Sequence, residues 1–163
     1  WVSLLGIGAE EVSGKHAVNI TIGDNTIKKD IQVWASNFPA TAIASTLGGV
    51  VSSKAANIVV HKDNPNLYDA MQTSSQSPYF DQPFTEPLVT MKKSGFGFGT
   101  LIKYSNYQLK HLGVDLRALI NTKVYAVNDG KVMLAAVLPN YGNTIVIDHG
   151  LGIFFEFNII IFL

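Results

Sequence analysis

The sequence of 163 residues contains no cysteine. This absence excludes disulfide bonds, thiolate metal sites and a cysteine nucleophile. Charged side chains are also scarce, at 15% of the sequence, and 12 basic residues balance 12 acidic ones. Because a neutral chain has no general attraction for polyanions, we expect no nucleic-acid partner.

The sequence also lacks a long uninterrupted apolar run. Its longest apolar stretch, residues 151–163, contains Glu156 and Asn158. A membrane helix needs about 20 apolar residues, so we expect no membrane span within this sequence. Hydrophobic residues still make up 47% of the chain, which is enough for a folded core. The first residue is Trp1 and not methionine, so a signal peptide could precede it.

Residues 1–60 are predicted to form a β-rich accessory region that is incomplete at its N-terminus. Val18, Ile20 and Ile22 alternate with polar residues, and Gly23 begins a turn before a second strand over residues 27–33. This pattern predicts a β-hairpin, and residues 1–7 are a further candidate strand. Together they indicate part of a β-sandwich.

Residues 61–78 are predicted to form a short helix and a linker. Pro65 suits the first helical position, and Asn64 is a candidate cap. Leu67, Ala70 and Met71 fall on one helical face, which predicts a helix over residues 65–73. The Ser/Gln/Pro composition of residues 73–78 predicts a linker.

Residues 79–163 are predicted to form an antiparallel β-sheet. The alternating glycines and phenylalanines of residues 94–99 lack the spacing of a phosphate loop and instead predict a glycine-rich strand. Asp129-Gly130 predicts a hairpin turn between strands over residues 123–127 and 131–138. A further strand is predicted over residues 144–149. The expected fold class is therefore mainly β.

His111 and Asp115 form the strongest candidate for chemistry in the sequence. A neutral imidazole and an ionised carboxylate are both zinc ligands. On a straight strand they would lie about 13 Å apart, so the chain must bend between them, and Gly113 would permit that bend. The spacing alone is weak evidence, and a surface histidine with a turn aspartate remains an alternative.

Several motifs in consistent order extend this signal over residues 84–152. They are His111-Leu112-Gly113-Val114-Asp115-Leu116, Val124-Tyr125-Ala126, Asp129-Gly130-Lys131-Val132, Tyr141-Gly142-Asn143-Thr144 and Ile147-Asp148-His149-Gly150. With these motifs the sequence resembles the lysostaphin-type (LytM-like) zinc metalloendopeptidases, which cut peptidoglycan cross-links.

The resemblance implies a zinc-dependent cell-wall hydrolase of the periplasm or cell envelope. It implies that residues 79–163 are a peptidase domain and that His111 and Asp115 bind zinc. The family also has a His-x-His motif further along, which residues 1–163 do not contain. We therefore expect a C-terminally truncated domain, with residues 158–163 as a candidate frameshifted tail, and no hydrolysis by these residues alone.

Three other interpretations remain open at this stage. His149 could supply a third ligand, although the family has a turn residue there. The chain could be a catalytically inactive envelope module that binds peptidoglycan or regulates another hydrolase. It could also be a β-rich structural domain in which His111 and Asp115 are incidental.

Overall fold

The computed structural model describes residues 4–8, 11–42, 64–89, 96–103, 108–139 and 141–159. These residues form mainly β-structure with one short helix, as the composition and alternation predicted. The elements in chain order are β1 (Gly14–Ile22), β2 (Asn25–Val33), β3 (Ala40–Ala42), α1 (Pro65–Ala70), β4 (Leu101–Lys103), β5 (Gln108–Lys110), β6 (Lys131–Leu138), β7 (Gly142–Gly150) and β8 (Ile153–Ile159).

Strands β1 and β2 form the predicted antiparallel hairpin, in which Ile20 pairs with Ile27. The turn begins at Gly23, which has a φ of 57°. Glycine adopts this left-handed conformation at little energetic cost. The predicted strand over residues 1–7 is wrong for its described part, because residues 4–8 adopt no regular structure. These residues contain two glycines, which weaken a strand.

A small mixed sheet of β3, β4 and β5 ends directly before His111. Strand β3 pairs in parallel with β4, and β4 pairs antiparallel with β5. Strand β3 lies in the predicted accessory region, whereas β4 and β5 lie in the predicted peptidase region. The division into residues 1–60, 61–78 and 79–163 stays a prediction.

The larger sheet is antiparallel, with β7 between β6 and β8. Leu138 of β6 and Val146 of β7 are buried with Leu67 of the helix, and this cluster is the core. Burying side chains of this size stabilises the fold by about 1.5–3 kcal/mol each. The sheet and helix therefore form one packed unit.

Helix α1 is shorter than predicted, because it ends at Ala70 and not at residue 73. Leu67 and Ala70 are buried as the apolar pattern predicted. Asn64 does not cap the helix with its side chain; its carbonyl oxygen accepts the amides of Leu67 and Tyr68 instead. Within the described ranges, no helix has the length and apolar character needed to span a bilayer.

The predicted hairpin at Asp129-Gly130 does not form. Residues 123–127 belong to no strand. Instead, the Tyr125 amide donates to the Pro87 carbonyl, and the Thr85 amide donates to the Val127 carbonyl. Gly130 is needed for packing, since a side chain there would collide with Ile147 and His149. The sequence pattern located the glycine but not its role.

The predicted glycine-rich strand is also absent in its described part. Residues 96–100 belong to no strand, and they contain a turn at Phe98 and Gly99. A close approach is nevertheless present at Gly99, where any side chain would occupy the place of the Phe38 ring. Residues 94 and 95 lie outside the described residues.

Candidate metal site

Backbone hydrogen bonds fix the position of His111 directly after β5. Its amide donates to the Thr100 carbonyl at 2.8 Å, and its carbonyl accepts the Gly99 amide at 2.7 Å. The Asp115 amide donates to the Phe96 carbonyl at 2.9 Å. Backbone hydrogen bonds therefore join both candidate ligands to the segment of residues 96–100.

The chain bends at Gly113, and the two side chains meet. His111 Nε2 lies 3.2 Å from Asp115 Oδ1. The side chain of His111 is 23% exposed and that of Asp115 is 43% exposed, so solvent reaches the pair. Gly113 is not among the residues with positive φ, and a Cβ there would have room. The bend is as predicted, but its conformation does not require glycine.

The contact at Nδ1 of His111 bears on which atom Nε2 can bind. Nδ1 lies 3.3 Å from the Gly97 carbonyl oxygen, which can only accept a hydrogen bond. When Nδ1 of the neutral ring donates to this oxygen, Nε2 presents a lone pair to the carboxylate. Two electron-rich atoms at that distance require a proton or a cation between them.

The pair fits two corners of a zinc site. Two ligand atoms bonded to one tetrahedral zinc ion at about 2.0–2.2 Å lie roughly 3.3–3.5 Å apart. The observed separation of 3.2 Å is close to that value. The carbonyl contact at Nδ1 is the kind of outer contact that orients histidine ligands. His111 and Asp115 could thus hold a zinc ion, while further ligands must complete its coordination.

A second histidine–carboxylate pair with similar geometry lies in the hairpin region. His16 Nδ1 lies 3.3 Å from Glu11 Oε1, and its Nε2 lies 2.6 Å from the Val12 carbonyl oxygen. Distances alone do not distinguish this pair from His111 and Asp115. The pair in the hairpin region is therefore a matched control for metal binding.

His149 does not join His111 and Asp115. Its side chain is completely buried, and Nδ1 lies 2.7 Å from the Asp129 carbonyl oxygen. The rings of Phe84 and Phe155 contact it edge-on, at centroid distances of 5.1 and 5.4 Å. Among the described residues, no group of three or more histidine, cysteine, aspartate or glutamate side chains could hold a metal ion. His149 has the environment of a structural histidine.

Asp148, which the sequence motifs include without a role, is a buried carboxylate. It accepts hydrogen bonds from the Ser74 hydroxyl at 2.6 Å, the Ser75 amide at 3.0 Å and the Gly150 amide at 2.8 Å. Burial opposes its ionisation, but these hydrogen bonds and the nearby imidazole of His149 outweigh burial and lower the pKa of Asp148. In the sequence, the only sign of this role is an acidic residue within an otherwise apolar strand.

Asp148 fastens the predicted linker to the sheet. We call residues 74–79 the strap. Besides the bonds to Asp148, the Leu151 amide donates to the Ser75 carbonyl at 2.7 Å and the Tyr79 amide to the His149 carbonyl at 2.9 Å. The strap therefore crosses the turn between β7 and β8 as a bonded segment and not as a free linker.

Comparison with known proteins places this geometry in context. Residues 109–158 match the model of Peptidase family M23, and this match includes His111, Asp115, Asp148 and His149. The match supports an M23 peptidase, and hence a metallopeptidase-type hydrolase by family. No curated protein matches the chain significantly.

Proposed function

We propose that the chain derives from a zinc metalloendopeptidase of peptidoglycan, of lysostaphin type, that works in the periplasm or cell envelope. Its substrates would be the peptide cross-links of the cell wall. The M23 match supports the class of protein, since that family acts on peptidoglycan in general. The observation that carries the zinc assignment is the 3.2 Å approach of His111 Nε2 to Asp115 Oδ1 inside the matched segment.

In this proposal His111 and Asp115 are two of the zinc ligands. A bound zinc ion would lower the pKa of its water to about 7 and polarise the scissile carbonyl. The Gly97 carbonyl would hold the His111 ring so that Nε2 faces the metal. Hydrolysis also needs further ligands and a base beside the water. Residues 1–163 contain no His-x-His motif to supply them, so we expect these residues alone to bind zinc weakly without cleaving peptides.

The second candidate function is a catalytically inactive envelope module that binds peptidoglycan or regulates another hydrolase. It is favoured by the absence of a three-ligand group among the described residues. In that case the His111–Asp115 pair would be a remnant of the peptidase site.

Zinc titration by calorimetry tests the proposed metal site. His111→Ala and Asp115→Ala should each weaken binding by at least about tenfold. His16→Ala removes the matched control pair and should leave binding unchanged. If His16→Ala weakens binding as much as His111→Ala does, the assignment fails.

A peptidoglycan assay separates the two candidate functions. Purified cell-wall peptidoglycan is incubated with the chain and zinc, and released peptides are measured alongside sedimented protein. Both candidates predict no release by residues 1–163 alone, so the assay is repeated with the longer chain that the gene encodes. Binding without release by that chain as well supports the inactive module. Release that is lost in His111→Ala would instead support the peptidase.

A further inference from the structure

A pocket opens between the hairpin region and the turn that holds His111. Its volume is about 400 Å³, which is within the usual range for small-ligand sites. Its aromatic wall consists of Trp34, Phe38 and Phe98. Its polar lining includes Glu11, Ser13 and Lys110. No part of the proposed zinc chemistry uses this pocket.

Packing contacts hold the two phenylalanine rings of the aromatic wall in place. The Phe38 and Phe98 rings pack edge to face with centroids 6.1 Å apart. The Lys110 ammonium lies 5.5 Å from the Phe38 ring centroid, within the range of a cation–π contact. Phe38 reaches this position because residue 99 is glycine, as any side chain there would collide with its ring.

Trp34 is the most accessible part of this wall. It is 81% exposed although it is the largest apolar side chain lining the pocket. It follows directly after β2, whose last residue, Val33, is buried and fixes the start of the segment. The indole therefore offers a broad apolar surface to a ligand that enters the pocket.

The lining residues indicate the chemistry of that ligand. They carry one acidic and one basic side chain, so the pocket does not favour a phosphate or another polyanion. The remaining lining combines aromatic rings and aliphatic side chains with the polar residues Ser13 and Ser36. A neutral ligand with one apolar face and a polar edge matches this combination, and a pyranose ring has both.

We propose that this pocket binds an N-acetylated hexosamine ring of a peptidoglycan glycan strand, with one face of the sugar stacked on Trp34. The acetamido methyl group would contact the phenylalanine rings, while the hydroxyls and the amide bond to the polar lining. This inference rests on the proposed function, because it takes peptidoglycan as the target.

The position of the pocket suits this role. Phe98 and Lys110 belong to the same two backbone segments that hold His111, joined by the bond from the Gly99 amide to the His111 carbonyl. A glycan bound here would be fixed relative to the zinc half-site. The pocket would therefore anchor the carbohydrate while the peptide branch extends towards His111.

Titration of the full chain with a soluble oligomer of N-acetylglucosamine tests the pocket. Trp34→Ala should weaken binding by about tenfold, as expected for loss of one well-stacked aromatic contact. Trp34→Phe, which keeps a ring, should recover most of the affinity. Tyr79→Ala removes another exposed aromatic side chain, 44% exposed and outside the pocket, and should have no effect. Thermal melting of each variant shows that the fold is retained.

Two further measurements separate failure of the pocket from failure of the proposed function. A cellulose-derived oligomer has the same rings without acetamido groups and should bind more weakly; equal binding overturns the acetamido assignment. Intact peptidoglycan is sedimented with each variant. If wild type sediments with it but oligomer binding is absent or insensitive to Trp34, the pocket assignment is overturned while the target stands. If neither oligomer nor peptidoglycan is bound, both proposals fail.

Discussion

The hydroxyl of Ser74 donates a 2.6 Å hydrogen bond to Oδ1 of Asp148, a residue 74 positions further along the chain. The same carboxylate accepts the Ser75 and Gly150 amides, so one buried side chain joins the strap to the sheet. We expect Asp148→Asn to destabilise the fold by about 2–4 kcal/mol, because an amide NH₂ cannot accept a hydrogen bond. Chemical denaturation measures this change in the free energy of unfolding.

The matched control for this substitution is Asp81→Asn, which changes an exposed aspartate. It should alter stability by no more than about 0.5 kcal/mol. Equal effects of the two substitutions would show that Asp148 does not anchor the strap.

The lowered pKa of Asp148 predicts how stability depends on pH. The ionised form stabilises the fold, so its contribution is fully present above the unfolded-state pKa of 3.8. It is lost as the pH falls through the lower folded-state pKa. The difference in unfolding free energy between wild type and Asp148→Asn should therefore shrink on acidification. A difference that is constant or grows over this range would contradict the account.

Substitutions at Gly150 and Gly152 distinguish the cost of backbone strain from the cost of a steric collision. Gly150 and Gly152 have similar positive φ values of 87° and 78°. A Cβ at residue 150 would collide with the strap at Ser77 and Pro78, whereas a Cβ at residue 152 would meet nothing within 4 Å. Gly152→Ala should cost about 1–2 kcal/mol from φ alone, and Gly150→Ala should cost clearly more. Equal losses, measured by denaturation, would mean that the strap does not pack against Gly150.

His149 is predicted to matter for stability and not for zinc binding. Replacing its buried ring with alanine leaves a cavity between Phe84 and Phe155, and we expect a loss of about 2–4 kcal/mol. Zinc affinity of the folded His149→Ala variant should equal that of wild type, since His149 belongs to no three-ligand group among the described residues. A large loss of zinc affinity in the folded variant would restore His149 as a ligand.

Local patterns predicted much of the β-structure. Alternation with a glycine turn located the β1–β2 hairpin, and the apolar spacing of Leu67 and Ala70 located the buried face of α1. The hairpin predicted at residues 128–130 is wrong, because the segment before it bonds to Thr85 and Pro87 and not to β6. Turn residues indicate where a chain reverses but not which segment pairs with it.

Local sequence patterns could not predict the long-range contacts. Nothing local in the strap indicates that Ser74 meets Asp148, and nothing near Trp34 indicates that Lys110 lines the same pocket. The candidate metal pair was accessible because its members are four residues apart and belong to a longer set of motifs. Their role as zinc ligands stays a prediction.

The most direct test of the central claim is nitrogen-15 NMR of the histidine rings during zinc titration. The sequence has four histidines, and single substitutions assign each ring. We predict that zinc shifts Nε2 of His111, that Nδ1 of His111 stays protonated, and that the rings of His16 and His149 do not change. Asp115→Ala should reduce the shift at a given zinc concentration. A zinc-dependent shift at His16 with none at His111 would contradict the account.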